Sequence, residues 1–287
     1  MHAHLVDVES LENTCNMLHI CPCVQVMHEY FDGENGELGN VGGGMPGTCG
    51  GDGPKLVLSV IWRLLLRPYA LLDIGASSGR MLFLARAMGA MHCMGLEVQG
   101  DLEAARRRPI SGSKAKEGGV KEGGLRTVYR AALALLEKSG AAASSVHITF
   151  NADIGKQSSL ELAAQLPESV SKLPIAVYAF CDVFSADNRQ KMFQLVRGDS
   201  RMQVIMCSPG KGKHDMFSNA GAILAALNVA ARAARLSEFK RVVLLGLRGP
   251  PGAGGLKLDN GNVIVHMKGS GSQKTLYVFS RLPLPPS

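Results

Sequence analysis

The sequence predicts a three-layer α/β domain with a seven-stranded, mostly parallel sheet and an antiparallel last strand. Three observations carry this. Short apolar runs alternate with amphipathic segments from residue 69 onward, the pattern of a parallel sheet covered on both faces. The first run, "ALLDIG", passes through a glycine turn into a helical pattern. The last two runs are joined by "RGPPGAGGLKLDNGN", which is turn-rich and has no helical pattern, so they pair antiparallel.

In chain order, residues 1–53 form an N-terminal extension and a Gly-rich loop ahead of a domain over 54–287. The stretch 33–53, with "GNVGGGMPGTCGGDG" at its heart, holds too many glycines to order cheaply. "PKLVLSVIWRLLLRPY" repeats its apolar residues at helical spacing between Pro54 and Pro68. Strands are expected at 69–74, 92–97, 145–150, 174–181, 202–207, 241–247 and 274–280, with "VIVHMK" extending the last pair. Helices are expected at 78–88, 126–138, 158–166, 187–196 and 220–236. Residues 106–126, "RRRPISGSKAKEGGVKEGGLR", break the pattern as a basic, Gly-rich surface insertion. Such a segment suits nucleic-acid phosphates, though solvated basic loops are common.

Composition narrows the classes. No apolar run reaches the roughly 18–20 residues of a membrane span. The N-terminus lacks the basic start and apolar core of a secretory signal. Seven scattered cysteines in a long chain favour reduced thiols, hence a nuclear or cytoplasmic setting. The net charge of +7 suits an acidic partner. Cys15, Cys21 and Cys23 with His19 and His28 do not have zinc-finger spacing, so no metal is expected.

The chemistry concentrates in residues 70–98, "ALLDIGASSGRMLFLARAMGAMHCMGLEV". Ligands of parallel sheets bind beyond the carboxyl ends of the strands. Gly75 and Gly79 permit a tight turn there, and the N–H groups of the following helix point at the ligand. Glu97 ends the next strand, 22 residues after Gly75, where a carboxylate accepts from a ribose diol. A dinucleotide turn needs G-x-G-x-x-G. Here Ala76, Ser77 and Ser78 separate the glycines, and Asp73 precedes them. A carboxylate there repels a pyrophosphate and suits an ammonium group. S-adenosylmethionine has the ammonium and the ribose and carries no phosphate. The motif resembles the first motif of class I methyltransferases that use this cofactor. Asp153, ending the third strand, is placed to accept from the adenine amino group; an ordinary loop Asp is the alternative. Cys181, Asp182 and Phe184 end the fourth strand, at the side that faces the methyl group in that fold.

A closer resemblance follows. "NGELGNV" at 35–41, a helix with a tryptophan, "LLDIGASSGR", "MGLEV" and "VYAFCDVFSADN" succeed one another in a way that resembles the catalytic domain of the DOT-one family. These are histone lysine methyltransferases, named for disruptor of telomeric silencing, that lack a SET domain. The resemblance covers roughly residues 30–210. It implies a three-layer Rossmann-like class I methyltransferase fold and S-adenosylmethionine as cofactor. It implies Glu37 folding over the cofactor's amino-acid end, and a protein acceptor such as a histone or nucleosome. Three departures stand out. Asn35-Gly36-Glu37 replaces Tyr-Gly-Glu, Ser77 replaces a glycine, and Phe180-Cys181-Asp182 replaces Asn-Asn-Phe. An RNA or small-molecule methyltransferase, or a non-catalytic relic that keeps the cofactor fold, are the other readings.

Overall fold

The computed structural model describes residues 4–7, 22–32, 53–65, 68–98, 125–156, 161, 171–181, 184–210, 215–229, 236–245, 257–259, 261–266 and 273–282. The expected helix at 158–166 apart from Glu161, the basic insertion apart from its last two residues and the Gly-rich loop apart from Gly53 lie outside them.

Among the described residues, ten strands form the sheet: β1 (His4–Asp7), β2 (Ala70–Ile74), β3 (His92–Glu97), β4 (Val146–Phe150), β5 (Ile175–Ala179), β6 (Met202–Cys207), β7 (Lys240–Leu245), β8 (Lys257–Asp259), β9 (Asn262–His266) and β10 (Gln273–Ser280). Their order is β4-β3-β2-β5-β6-β10-β7-β1, with β9 on β10 and β8 on β9. β4 through β6 run parallel, and β10 lies antiparallel between β6 and β7. From β2 in the middle the chain walks outward to β4, and then returns to lay β5 on the other side of β2. This is the fold class read from the sequence. Three strands exceed the expected seven: β1, which pairs parallel with β7 at the far edge, and β8 and β9. The "VIVHMK" extension forms as β9, on the leading half of β10.

Burial follows strand position. β2, β3 and β5 are buried at every residue, as strands covered on both faces must be. β4 at the edge alternates instead, with only Val146 fully buried. The helices are α1 (Pro22–Asp32), α2 (Gly53–Leu65), α3 (Arg80–Ala87), α4 (Leu125–Lys138), α5 (Ala186–Gly198) and α6 (Ala220–Asn228). α1 to α4 share one apolar core with one face of the sheet, through residues such as Phe31, Leu58, Phe83 and Leu136. α5 and α6 share the other, through Phe193, Val196 and Ile223. α1 was not foreseen. It buries Val24, Met27 and Phe31, and Cys23 Sγ donates to Ser139 O at 2.9 Å. Met88 and Met94 lie in the two apolar cores, whereas Met91 is half exposed.

Arg281, just past β10, closes the end of α5. Its Nη1 donates to Asp199 O at 2.9 Å and its Nη2 to Arg197 O at 2.8 Å, while its guanidinium lies 4.3 Å from the Phe239 ring centre. A cation there satisfies carbonyls that the last helical turn leaves without donors. Arg281→Met should keep the apolar stem and lose these bonds, lowering stability by about 1.5–3 kcal/mol. Urea denaturation reads this directly; an unchanged midpoint would make the contact ornamental.

No helix among the described residues is long and apolar enough to cross a membrane.

Candidate functional site

The strand order reverses between β2 and β5. In open α/β sheets the ligand crevice opens at that point, beyond the carboxyl ends. The turn after β2 and the segment after β5 are thus its two banks.

The first bank is the glycine turn. Gly75, at φ +87°, donates its N–H to Leu96 O at 2.8 Å, and Ala76 donates to the same carbonyl at 3.1 Å. Gly79, at φ +93°, caps α3. A side chain on Gly79 would come within 2.9 Å of Ile148 and 3.0 Å of Phe83. Ser77 also stands at positive φ, +52°, a conformation that costs a non-glycine residue about 1–2 kcal/mol. Its N–H donates to Glu97 Oε2 at 2.7 Å, so the turn and the end of β3 are one unit.

Asp73, Gly75, Ala76, Ser77, Gly79 and Glu97 therefore converge, in the order the sequence suggested. Asp73 pairs with Gly95 across β2 and β3, and Glu97 lies two residues further along the same face. Both carboxyl groups are buried, at 3% and 7% exposure. Burial, and then the charge of Glu97, push the Asp73 carboxyl up to about 8. Gly95 went unnoticed as a site residue. A Cβ there would stand 2.6 Å from Ala76 Cβ and 2.8 Å from Leu82 Cδ1, so only glycine lets α3 and the turn sit down on β3.

The second bank is the segment after β5. Phe184 is half-buried, and its ring would meet a Cβ on Gly75 at 3.6 Å. It lies across the turn, facing the first bank. Cys181 requires a correction. It is fully buried, and its Sγ is directed at Ala179 O (3.5 Å) and Met192 Sδ (3.8 Å), within the core under α5. The alternation of β5 carries it to that face, opposite the one that Phe180 joins. Asp182 and Glu37 lie outside the described residues.

Two buried polar groups organise this bank, and sequence reasoning missed both. The Arg189 guanidinium donates to Cys181 O (3.0 Å), to Phe184 O (2.7 Å) and to the Asp215 carboxylate. Asp215 also accepts from Phe217 N–H at 2.9 Å. Ser208 Oγ accepts from Cys181 N–H at 2.8 Å. The segments after β5 and β6 are thereby held as one piece. A Cβ on Gly210 would overlap the Asp215 carboxylate, so glycine lets the pair form there.

Asp153 is half-buried after β4, and its Oδ1 closes a local turn by accepting from Gly155 N–H at 2.8 Å. It borders a polar cleft of 490 Å³ shared with Lys156, Ser185, Asn188 and Lys191. Lys191 Nζ donates to Gly155 O across this cleft. Among the described residues no three His, Cys, Asp or Glu side chains form a metal-binding group.

Neither a protein-family model nor a curated protein matches the chain by sequence. Solved structures resemble it in three dimensions. A putative O-methyltransferase from Klebsiella pneumoniae matches with 14% identity and a TM-score of 0.44, over 90% of this chain and 89% of its own. A putative RNA methyltransferase from Pyrococcus horikoshii matches with 12% identity and a TM-score of 0.38, over 80% and 85%. EvdMO1 matches with 14% identity and a TM-score of 0.39, over 79% of this chain. The match spans 40% of the EvdMO1 chain.

Proposed function

We propose that the chain is an S-adenosylmethionine-dependent methyltransferase. One observation carries the reading: a buried acid, a turn with three residues at positive φ, and a second buried acid meet at the switch point of the sheet. The residues fit the cofactor. Glu97 would accept from its ribose hydroxyls, Asp73 would face its ammonium, and Gly75 to Gly79 would take its backbone contacts. Asp153 would accept from the adenine amino group. When bound, this cofactor supplies a methyl carbon activated on a sulfonium.

The chain's own task is to hold the acceptor in line and keep water out. Phe184 serves the second need by lying across the turn, and the Arg189–Asp215 pair fixes the segment that carries it. Asp182, expected beside the acceptor, and Glu37, expected over the cofactor's tail, belong to this proposal on the strength of the sequence alone. So does the basic insertion as a contact for nucleic-acid phosphates. Lysine methylation of the DOT-one type is the narrowest form of the proposal and rests on the sequence resemblance. RNA or a small molecule is the other acceptor class, and it does not depend on the DOT-one resemblance. Labelled cofactor offered to bulk histones, total RNA and a metabolite extract separates the three. Transfer to none of them, with cofactor binding intact, would leave a binding relic.

Glu97→Ala should remove the ribose acceptor and free the Ser77 N–H. Cofactor affinity should fall by about 1–3 kcal/mol, the range for hydrogen bonds to a charged group. Equal affinities by calorimetry would sink the assignment of Glu97.

A further inference from the structure

The amino end of the sheet, opposite the ligand crevice, carries a pair of histidines. His92 is the first residue of β3, and His147 is the second of β4. The two strands pair in parallel, with Met94 opposite His147. Side chains alternate along a strand, so His92 shares the face of Met94, which belongs to the core of α5 and α6. On β4, Val146 and Ile148 pack in the other core, which puts His147 on the same face as His92. The two ring centres lie 5.4 Å apart, with their planes tilted by 39°.

Their surroundings differ. His147 is exposed. His92 is 2% exposed, and its Nε2 is buried with no hydrogen-bond partner among the described residues. A buried polar atom left in that state is costly, and folded chains keep few of them. An apolar residue at the head of β3 would fill the same space without stranding a nitrogen.

A metal ion supplies the missing partner. Imidazole binds zinc through a ring nitrogen at about 2.0–2.1 Å, with the ion on the line through the ring centre. Two imidazoles on one tetrahedral ion therefore hold their ring centres roughly 5 Å apart. The separation of His92 and His147 meets that requirement with both strands in place. We propose that His92 and His147 form a two-histidine site for a divalent transition-metal ion of the zinc type. The buried ring anchors the ion, and the exposed ring closes over it from the solvent side. No third His, Cys, Asp or Glu side chain among the described residues joins the pair. Cys93 follows His92 but lies in the opposite core. Water fills the remaining positions, so the site is open and exchangeable, unlike a closed four-ligand structural zinc. Imidazole ligands favour zinc, nickel and copper, whereas magnesium and calcium take oxygen. Among the described residues β4 is an edge strand that pairs with β3 alone, so the ion clips that edge to the sheet. The site stands apart from the cofactor crevice, and failure of the methyltransferase reading would leave it untouched.

The test uses the full chain with nitrogen-15 in its histidine rings, and zinc ion alone as the probe. The chain has eight histidines, and the signals missing from His92→Gln and His147→Gln identify the two that matter. Zinc titrated to saturation should shift both of these rings together, and magnesium should shift neither. In His147→Gln, zinc affinity read at the His92 ring should fall by at least the about tenfold that loss of a mere outer-shell partner costs. His147 is exposed, so this variant decides the matter even if His92→Gln does not fold. Zinc that shifts other histidines, or none, and leaves these two rings unmoved overturns the proposal. A His92 response that keeps its affinity in His147→Gln overturns it as well.

Discussion

Arg189→Ala should destabilise the chain by about 3–5 kcal/mol, the cost of breaking a buried ion pair by removing one partner. The Arg189 and Asp215 side chains are only 5% and 8% exposed, so water cannot take over the missing contacts. Asp215 would be left as a buried charge pressed against Gly210, and the carbonyls of Cys181 and Phe184 would lose their donor. The variant should unfold at lower urea. Hydrogen exchange should quicken in 180–186 and 208–218, the two segments the guanidinium joins. Replacing both partners by apolar residues, as Arg189→Met with Asp215→Leu, should recover much of the loss, because no buried charge is then stranded. If the single variant loses under 1 kcal/mol, the pair is better solvated than its burial implies.

This pair also shows why the site was only partly legible. Arg189 and Asp215 lie 26 residues apart on different segments. Charged residues are mostly exposed, so neither is singled out by its own neighbourhood. By contrast, β3 and β6 were read at their observed boundaries, because central strands of a parallel sheet are continuous apolar runs. The first bank was legible for a related reason: its acid, glycines and second acid fall within 25 residues. β1 was missed because four residues of an edge strand carry no period, and its pairing with β7 spans most of the chain. α1 was missed for no such reason. Val24, Met27 and Phe31 follow the helical spacing and bury one stripe, and the signal was there. The end of β5 misled in a different way. Alternation along a strand sends Cys181 to the face opposite Phe180, so two adjacent residues of a suggestive motif cannot both face one ligand.

Gly95→Ala should be as damaging to binding as the loss of a direct ligand contact, although residue 95 touches no ligand in the proposed arrangement. The added methyl group would stand 2.6 Å from Ala76 Cβ, 2.8 Å from Leu82 Cδ1 and 3.2 Å from Ile148 Cγ1. Leu82 can turn aside, but Ala76 cannot. Its N–H is bonded to Leu96 O, and so is that of Gly75, which fastens the turn to the strand that carries the intruding methyl. Relief must come from lifting the turn and α3 off β3. That would stretch the Ser77 to Glu97 bond and part the two acids from the backbone between them. Overpacking of this kind costs about 1–3 kcal/mol of stability. Cofactor affinity should fall by a similar amount, because the bound state needs the turn seated. Gly198→Ala is the matched control: it ends α5, a Cβ there meets nothing within 4 Å, and its φ is not positive. It should leave binding untouched and change stability by under about 1 kcal/mol. Calorimetric binding and urea unfolding on both variants decide the matter. If Gly95→Ala binds S-adenosylhomocysteine as tightly as the unsubstituted chain, the turn is not seated on β3 in the bound state, and the register of Asp73 and Glu97 across it loses its functional meaning.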